Sequence, residues 1–132
     1  MFNLRYAAMI MGVALTTIAS INVALAHGDT IENHDGMVAV QVLFPTGDAS
    51  KDVDGFIKKM AATASKYEGM DGLKAKYYVL SGDNNKAGGI YIWESLAKAN
   101  AWYTPKWYDY IKKAYGEAPE VTYMKVPVIV EN

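Results

Sequence analysis

From Met37 onward, the alternation of apolar and polar positions and their three- and four-residue spacing divide the chain into a regular series of segments. MVAVQVLF (Met37–Phe44) reads as a β-strand, broken by PTGDAS. From about Lys51 to Tyr67, the apolar residues Val53, Phe56, Ile57, Met60, Ala61 and Ala64 recur at helical steps, with Ser50 as the expected cap. Gly69 and Gly72 in EGMDG break this helix, and LKAKYYVL (Leu73–Leu80) reads as a second strand. The glycine- and asparagine-rich SGDNNKAGG (Ser81–Gly89) connects it to a third strand, IYIWES, starting at Ile90. Ser95 is the expected cap of LAKANAWY, and Thr104-Pro105 restarts or kinks a helix that continues as KWYDYIKKAYG and ends at Gly116. EVTYMKVPVIV is the expected last strand, and Pro127, which cannot donate to a ladder, marks it as an edge or a bulge.

The order βαββαβ in one domain predicts an α+β fold: a four-stranded antiparallel sheet with two helices on one face, the ferredoxin-like arrangement. A sheet with one wet face alternates strictly, yet VAVQVLF, YYVL, IYIW and VPVIV carry apolar or aromatic residues at both parities. Two helices cover only one face. The sequence therefore predicts a homodimer, sheet face against sheet face about a two-fold axis.

Residues 1–26 differ in kind from the rest. Arg5 precedes an apolar run from Tyr6 to about Ala19, and the segment ends Val23-Ala24-Leu25-Ala26, an A-x-A pattern suited to signal peptidase. The run is shorter than the roughly 20 residues of a spanning helix. This reads as a cleaved secretory signal, with a retained N-terminal anchor as the alternative, and places the mature protein in the periplasm or outside the cell. Residues 27–36 (HGDTIENHDG) follow as a flexible leader, and 37–132 form the single domain. The formal charge of −1 and the lack of any Lys/Arg cluster remove the electrostatic footprint of a nucleic-acid binder. No membrane partner is expected after cleavage. The chain has no cysteine, so an exported domain of this size is not stapled by disulfides, and thiolate metal sites and thioether-linked haem are excluded.

The stretch from Gly72 to Asn132 resembles a mono-oxygenase family of small dimeric α/β-barrel proteins related to the antibiotic-biosynthesis monooxygenases. The residues that carry the resemblance are Gly72-Leu73 entering the second strand, Lys76 within it, AGGIYIWES (Ala87–Ser95), the Ala/Trp/Tyr helix and EVTYMKVPVIVEN. It covers the last half of the chain closely and the first strand and helix loosely. The resemblance implies ferredoxin-like subunits paired into a shared barrel. Each would hold a small cavity between sheet and helices that in better-understood relatives oxidises polycyclic phenols with molecular oxygen and without metal or flavin, so no cofactor is expected. There is one departure. Where the wider superfamily often places histidines on the helix after the third strand, this chain has Trp102 and Trp107, and a helical histidine as haem ligand or general base is missing.

Ala101–Gly116 (AWYTPKWYDYIKKAYG) packs two tryptophans and four tyrosines into sixteen positions. Trp107, Tyr110, Ile111 and Ala114 share a face by spacing, with Tyr108 and Tyr115 on a neighbouring one. Such a stripe fills a core or lines a pocket. With Tyr77, Tyr78, Tyr91 and Trp93 on the strands, the pocket reading names Tyr78, Tyr91, Trp93, Trp102, Trp107 and Tyr110 as candidate binding residues for a small apolar or aromatic molecule. Lys76 shares a parity with Lys74, Tyr78 and Leu80. Facing the helices, it would lose solvent, titrate lower and hold or help deprotonate a phenol. Facing water, it would lay its stem on the sheet and pair with an acid such as Glu94. Lys125 has the same two options. His27 and His34 both fall in the leader, where a solvated tail rather than a metal site is expected. SGDNNKAGG does not match a calcium loop.

The expectation is therefore an exported, dimeric mono-oxygenase acting without a cofactor on a small aromatic or phenolic compound, with Lys76 as the candidate catalytic group. The alternative is a non-catalytic ligand-binding or stress-related dimer, and a purely structural dimer is third.

Overall fold

The computed structural model describes residues 31–132. The expected signal segment, residues 1–26, lies outside the described residues, as does the start of the leader. Within the rest of the leader, Ile31 packs against the core and the His34 ring lies 3.0 Å from the Met37 carbonyl oxygen.

Four strands, β1 (Val38–Pro45), β2 (Leu73–Leu80), β3 (Lys86–Trp93) and β4 (Glu120–Lys125), form one antiparallel sheet in the order β2-β3-β1-β4. Three helices, α1 (Val53–Ala61), α2 (Leu96–Trp102) and α3 (Pro105–Tyr115), complete the ferredoxin-like α+β architecture. Strict alternation on β1 buries Val38, Val40 and Val42 completely or nearly so, together with Phe44. They meet Tyr91 and Trp93 of β3, Val121 and Tyr123 of β4, and the helix residues Phe56, Met60, Trp107 and Ile111. Among the described residues, no helix is long and apolar enough to cross a membrane.

Several expected boundaries shift for identifiable reasons. The helix expected over 51–67 is a 3₁₀ turn at Gly47–Lys51, then α1, then a second 3₁₀ turn at Ala64–Lys66. Ser50 is not the cap, because its hydroxyl donates to the Gly47 carbonyl at 2.8 Å. Asp52 caps α1 instead, accepting from the Gly55 N–H at 3.0 Å. The connection before β3 is shorter than expected. Asp83 accepts from Ser81 and from both the backbone and the side chain of Asn85, and the strand begins at Lys86. Both expected caps on the aromatic side hold: Ser95 accepts from the Lys98 N–H and Thr104 from the Trp107 N–H, with Pro105 opening α3 and Gly116 ending it at φ +91°.

The last strand stops at Lys125, whereas the sequence expects it to reach Val130. Lys125 pairs with Val38, where β1 begins, and the ladder closes with the Val126 N–H on the Met37 carbonyl. Pro127 then offers no donor, and Val128, Ile129 and Val130 are exposed.

The opposite sheet face remains open. Tyr77 on β2 and Met124 on β4 are 60% and 41% exposed, with Ile90, Ile92 and Leu43 partly exposed between them.

Candidate functional site

A cavity of about 160 Å³ lies between the covered sheet face and the helices. Its floor is made by β1 and β3, one wall by β2 and the chain after α1, and its roof by α2 and α3. Register builds the floor. Tyr91 stands opposite both Val40 and Lys76, and Gly89 opposite both Val42 and Tyr78. Glycine at 89 keeps the floor open, since a Cβ there would sit 2.8 Å from Tyr91 Cε2 and 3.2 Å from Lys76 Cε.

Lys76 faces the helices, not water. Its Nζ lies 3.4 Å from the centroid of the Tyr67 ring, 4.0 Å from that of Tyr78 and 4.8 Å from that of Tyr91. Glu94 pairs instead with Lys74, at 3.4 Å on the exposed side. Burial, and secondarily the nearby Lys66 ammonium, lower the Lys76 pKa from 10.5 to about 7. The three ring faces oppose that shift, because their quadrupoles attract the charged form.

Burial raises the pKa of Tyr91 strongly, with neighbouring phenols adding to the shift, and burial also raises that of Tyr67, against an opposing hydrogen bond with Tyr91. The Tyr78 hydroxyl is fixed 2.6 Å from Thr63 Oγ1, which in turn donates to the Met60 carbonyl and so ties β2 to the end of α1. Trp102 contributes a buried indole N–H that has no hydrogen-bond partner among the described residues.

Of the residues singled out from sequence, Lys76, Tyr78, Tyr91, Trp102, Trp107 and Tyr110 line this cavity. Trp93 does not. It is 1% exposed, and its Nε1 donates to the Tyr103 hydroxyl at 3.1 Å, holding the junction of α2 and α3 against the sheet. The buried face of α3 also differs from the one expected. Trp107, Tyr108 and Ile111 are buried, while Tyr110 is 56% exposed and only its inner side borders the cavity. Lys125 is exposed.

Sequence reasoning missed Tyr67, which stacks edge-on against Tyr91 and Trp102 and is nearest to Lys76. The sequence places it at the end of the helix expected over 51–67, whereas in the folded chain it follows the second 3₁₀ turn, outside α1. It also missed Phe44 and Tyr115, whose rings stack 4.0 Å apart at one end of the cavity.

Sheet, helices and aromatic cavity together define a ferredoxin-like α+β domain with a closed-in site on the helical side of its sheet. This is the fold of the antibiotic-biosynthesis monooxygenases. A Nitrosomonas europaea protein of unknown function superposes with a TM-score of 0.58 at 12% identity, over 76% of this chain and 98% of that one. A Bordetella bronchiseptica chain assigned to antibiotic biosynthesis monooxygenases superposes at 0.51 and 13% identity, over 70% and 99%. A Streptomyces coelicolor monooxygenase from the gene ActVA-Orf6, in complex with nanaomycin D, superposes at 0.51 and 20% identity, over 74% and 92%. No protein-family model and no curated protein sequence matches the chain.

Proposed function

We propose that this is an exported mono-oxygenase that binds a small aromatic phenol in the cavity and oxidises it with molecular oxygen without a cofactor. The observation that carries the reading is Lys76 held among the rings of an aromatic-walled cavity, where burial lowers its pKa to about 7. In its neutral form, Lys76 takes the phenolic proton, and as an ammonium it holds the resulting phenolate. The aromatic walls orient the ring and exclude water, and the unpaired Trp102 N–H offers a donor to a second oxygen on the substrate. The electron-rich anion supplies all four electrons: a ring C–H becomes C=O and the phenol becomes a quinone, so that one oxygen atom stays on the substrate and the other leaves as water with the two hydrogens the substrate loses. The complex of the Streptomyces monooxygenase with nanaomycin D supports a small-molecule ligand for a protein of this fold.

The uncovered sheet face completes the proposal. Its partly exposed Ile90, Ile92 and Leu43, with Tyr77 and Met124, are best covered by a second copy of the chain, giving a sheet-to-sheet homodimer.

The test is oxygen consumption by the purified protein with a panel of hydroxylated polycyclic aromatics. Uptake well above that of Lys76→Met is expected; uptake no faster than that of the variant overturns the enzyme reading. Because the cavity lining among the described residues contains no histidine, aspartate or glutamate to share the base role, a non-catalytic binding module is the second reading. Ligand-dependent thermal stabilisation with no oxygen uptake would select it.

A further inference from the structure

Among the described residues, the cavity lining carries positive charge and no acid to balance it. Its charged lining groups are Lys76 and, at the more exposed rim, Lys66, which lies over the Tyr110 ring. Trp102 adds an unpaired N–H donor. The ion pairs among the described residues use other lysines: Lys51 with Asp48, Lys74 with Glu94, Lys86 with Glu120 and Lys98 with Asp71. A charge withdrawn from water is normally paired, and truncating one partner of such a pair is strongly unfavourable. Lys76 has three aromatic faces around it and no counter-ion among the described residues.

The groups packed around Lys76 on every side are accounted for. The phenols of Tyr67, Tyr78 and Tyr91 surround its ammonium, and Lys66 adds a like charge. On the far side of the Lys76, Tyr67 and Tyr78 wall, an outer recess is lined by Glu68 and Lys74, and Lys74 is engaged with Glu94.

We infer that the ligand itself supplies the missing counter-ion: the cavity selects aromatic molecules carrying an anionic oxygen, a carboxylate or an ionised phenol, and seats that oxygen on Lys76. This rests on the cavity being the ligand site, but it does not require that oxygen chemistry follow. The two sources of the oxyanion are separated by pH. A carboxylate needs Lys76 to arrive protonated or to take up a proton, so its affinity falls as pH rises above about 7. A phenol brings its own proton, delivers it to the neutral amine and binds better as pH rises through the same value.

The experiment is an NMR titration of the tryptophan indole N–H signals with 4-methylbenzoate, its methyl ester and 4-methylphenol, from pH 6 to 9. At pH 6 the carboxylate should bind at least about tenfold more tightly than the ester, the difference of a charge-assisted contact. Its dissociation constant should rise as pH climbs above 7, by roughly tenfold in all, until the preference over the ester is lost with the ammonium charge. Lys76→Met should reduce the carboxylate to the level of the ester, and Lys76→Arg should retain its preference with no pH dependence, because guanidinium stays charged. A 4-methylphenol affinity that improves with pH supports the ionised-phenol arm. Equal binding of ester and acid in the wild type, or an unchanged carboxylate affinity in Lys76→Met, overturns the inference. If none of the three probes binds, the cavity reading beneath it fails as well, whereas oxygen uptake failing alone leaves this inference standing.

Discussion

The Lys76 Nζ lies 3.4 Å from the centroid of the Tyr67 ring, with the lysine on the edge strand of the sheet and the tyrosine in the turn that follows α1. That contact closes one wall of the cavity and joins two segments that sequence periodicity treats as unrelated.

Replacing the lysine should stabilise the protein in a pH-dependent way. Burial lowers the pKa of Lys76 from 10.5 to about 7, so between those values the unfolded chain carries a proton that the folded chain has released. Wild-type stability therefore rises with pH through this window. The gain is of the order of 1 to 2 kcal/mol between pH 7 and 9.5, well below the full shift because the side chain is only partly buried and solvent screens it. Urea unfolding of Lys76→Met at several pH values should show a flatter profile and greater stability at pH 7.

Gly89→Ala introduces a methyl group onto the cavity floor, against the Tyr91 ring and the Lys76 stem. Moving these groups should cost about 1 to 3 kcal/mol in urea unfolding. The indole N–H titration should show weaker binding of 4-methylphenol, since the added carbon occupies ligand space.

Trp93→Phe separates core from site. The substitution removes the donor to Tyr103 and some buried volume, which should cost about 1 to 3 kcal/mol of stability. Because Trp93 does not line the cavity, probe affinity should be unchanged when measured well below the unfolding transition.

Thr104→Ala removes the side-chain acceptor for the Trp107 N–H at the start of α3. Losing this cap should cost about 1 kcal/mol, read as a lower thermal midpoint. Pro105 still favours the first turn, so the helix content seen by circular dichroism should be retained.

Ile92→Lys places a charge in the centre of the open sheet face. If two sheets pair there, analytical ultracentrifugation should show the wild type as a dimer and the variant as a monomer. A wild type that sediments as a monomer at tens of micromolar would remove the dimer proposal.

Much of this architecture is local and therefore visible in the chain. The apolar run Val38–Phe44 reports a strand, and Ser95, Thr104-Pro105 and Gly116 mark helix ends through hydrogen bonds spanning only a few residues. The order βαββαβ then leaves little choice of topology. What periodicity alone does not determine is how far an element runs once its partner ends. β4 stops where β1 begins, and α1 gives way to 3₁₀ turns around caps that only the folded chain selects.

The site divides along the same line. The abundance of aromatics and the presence of a lysine among them are properties of the sequence. That Lys76 turns toward the helices, that Tyr67 comes across from a turn to cover it, and that Trp93 leaves the cavity for a hydrogen bond to Tyr103 are decided by sheet register and by packing between distant segments. Local sequence sets the preference of each residue for strand, helix or turn. Which side of the sheet is covered, and by which rings, depends on contacts between segments far apart in the chain, and those exist only once the sheet has assembled.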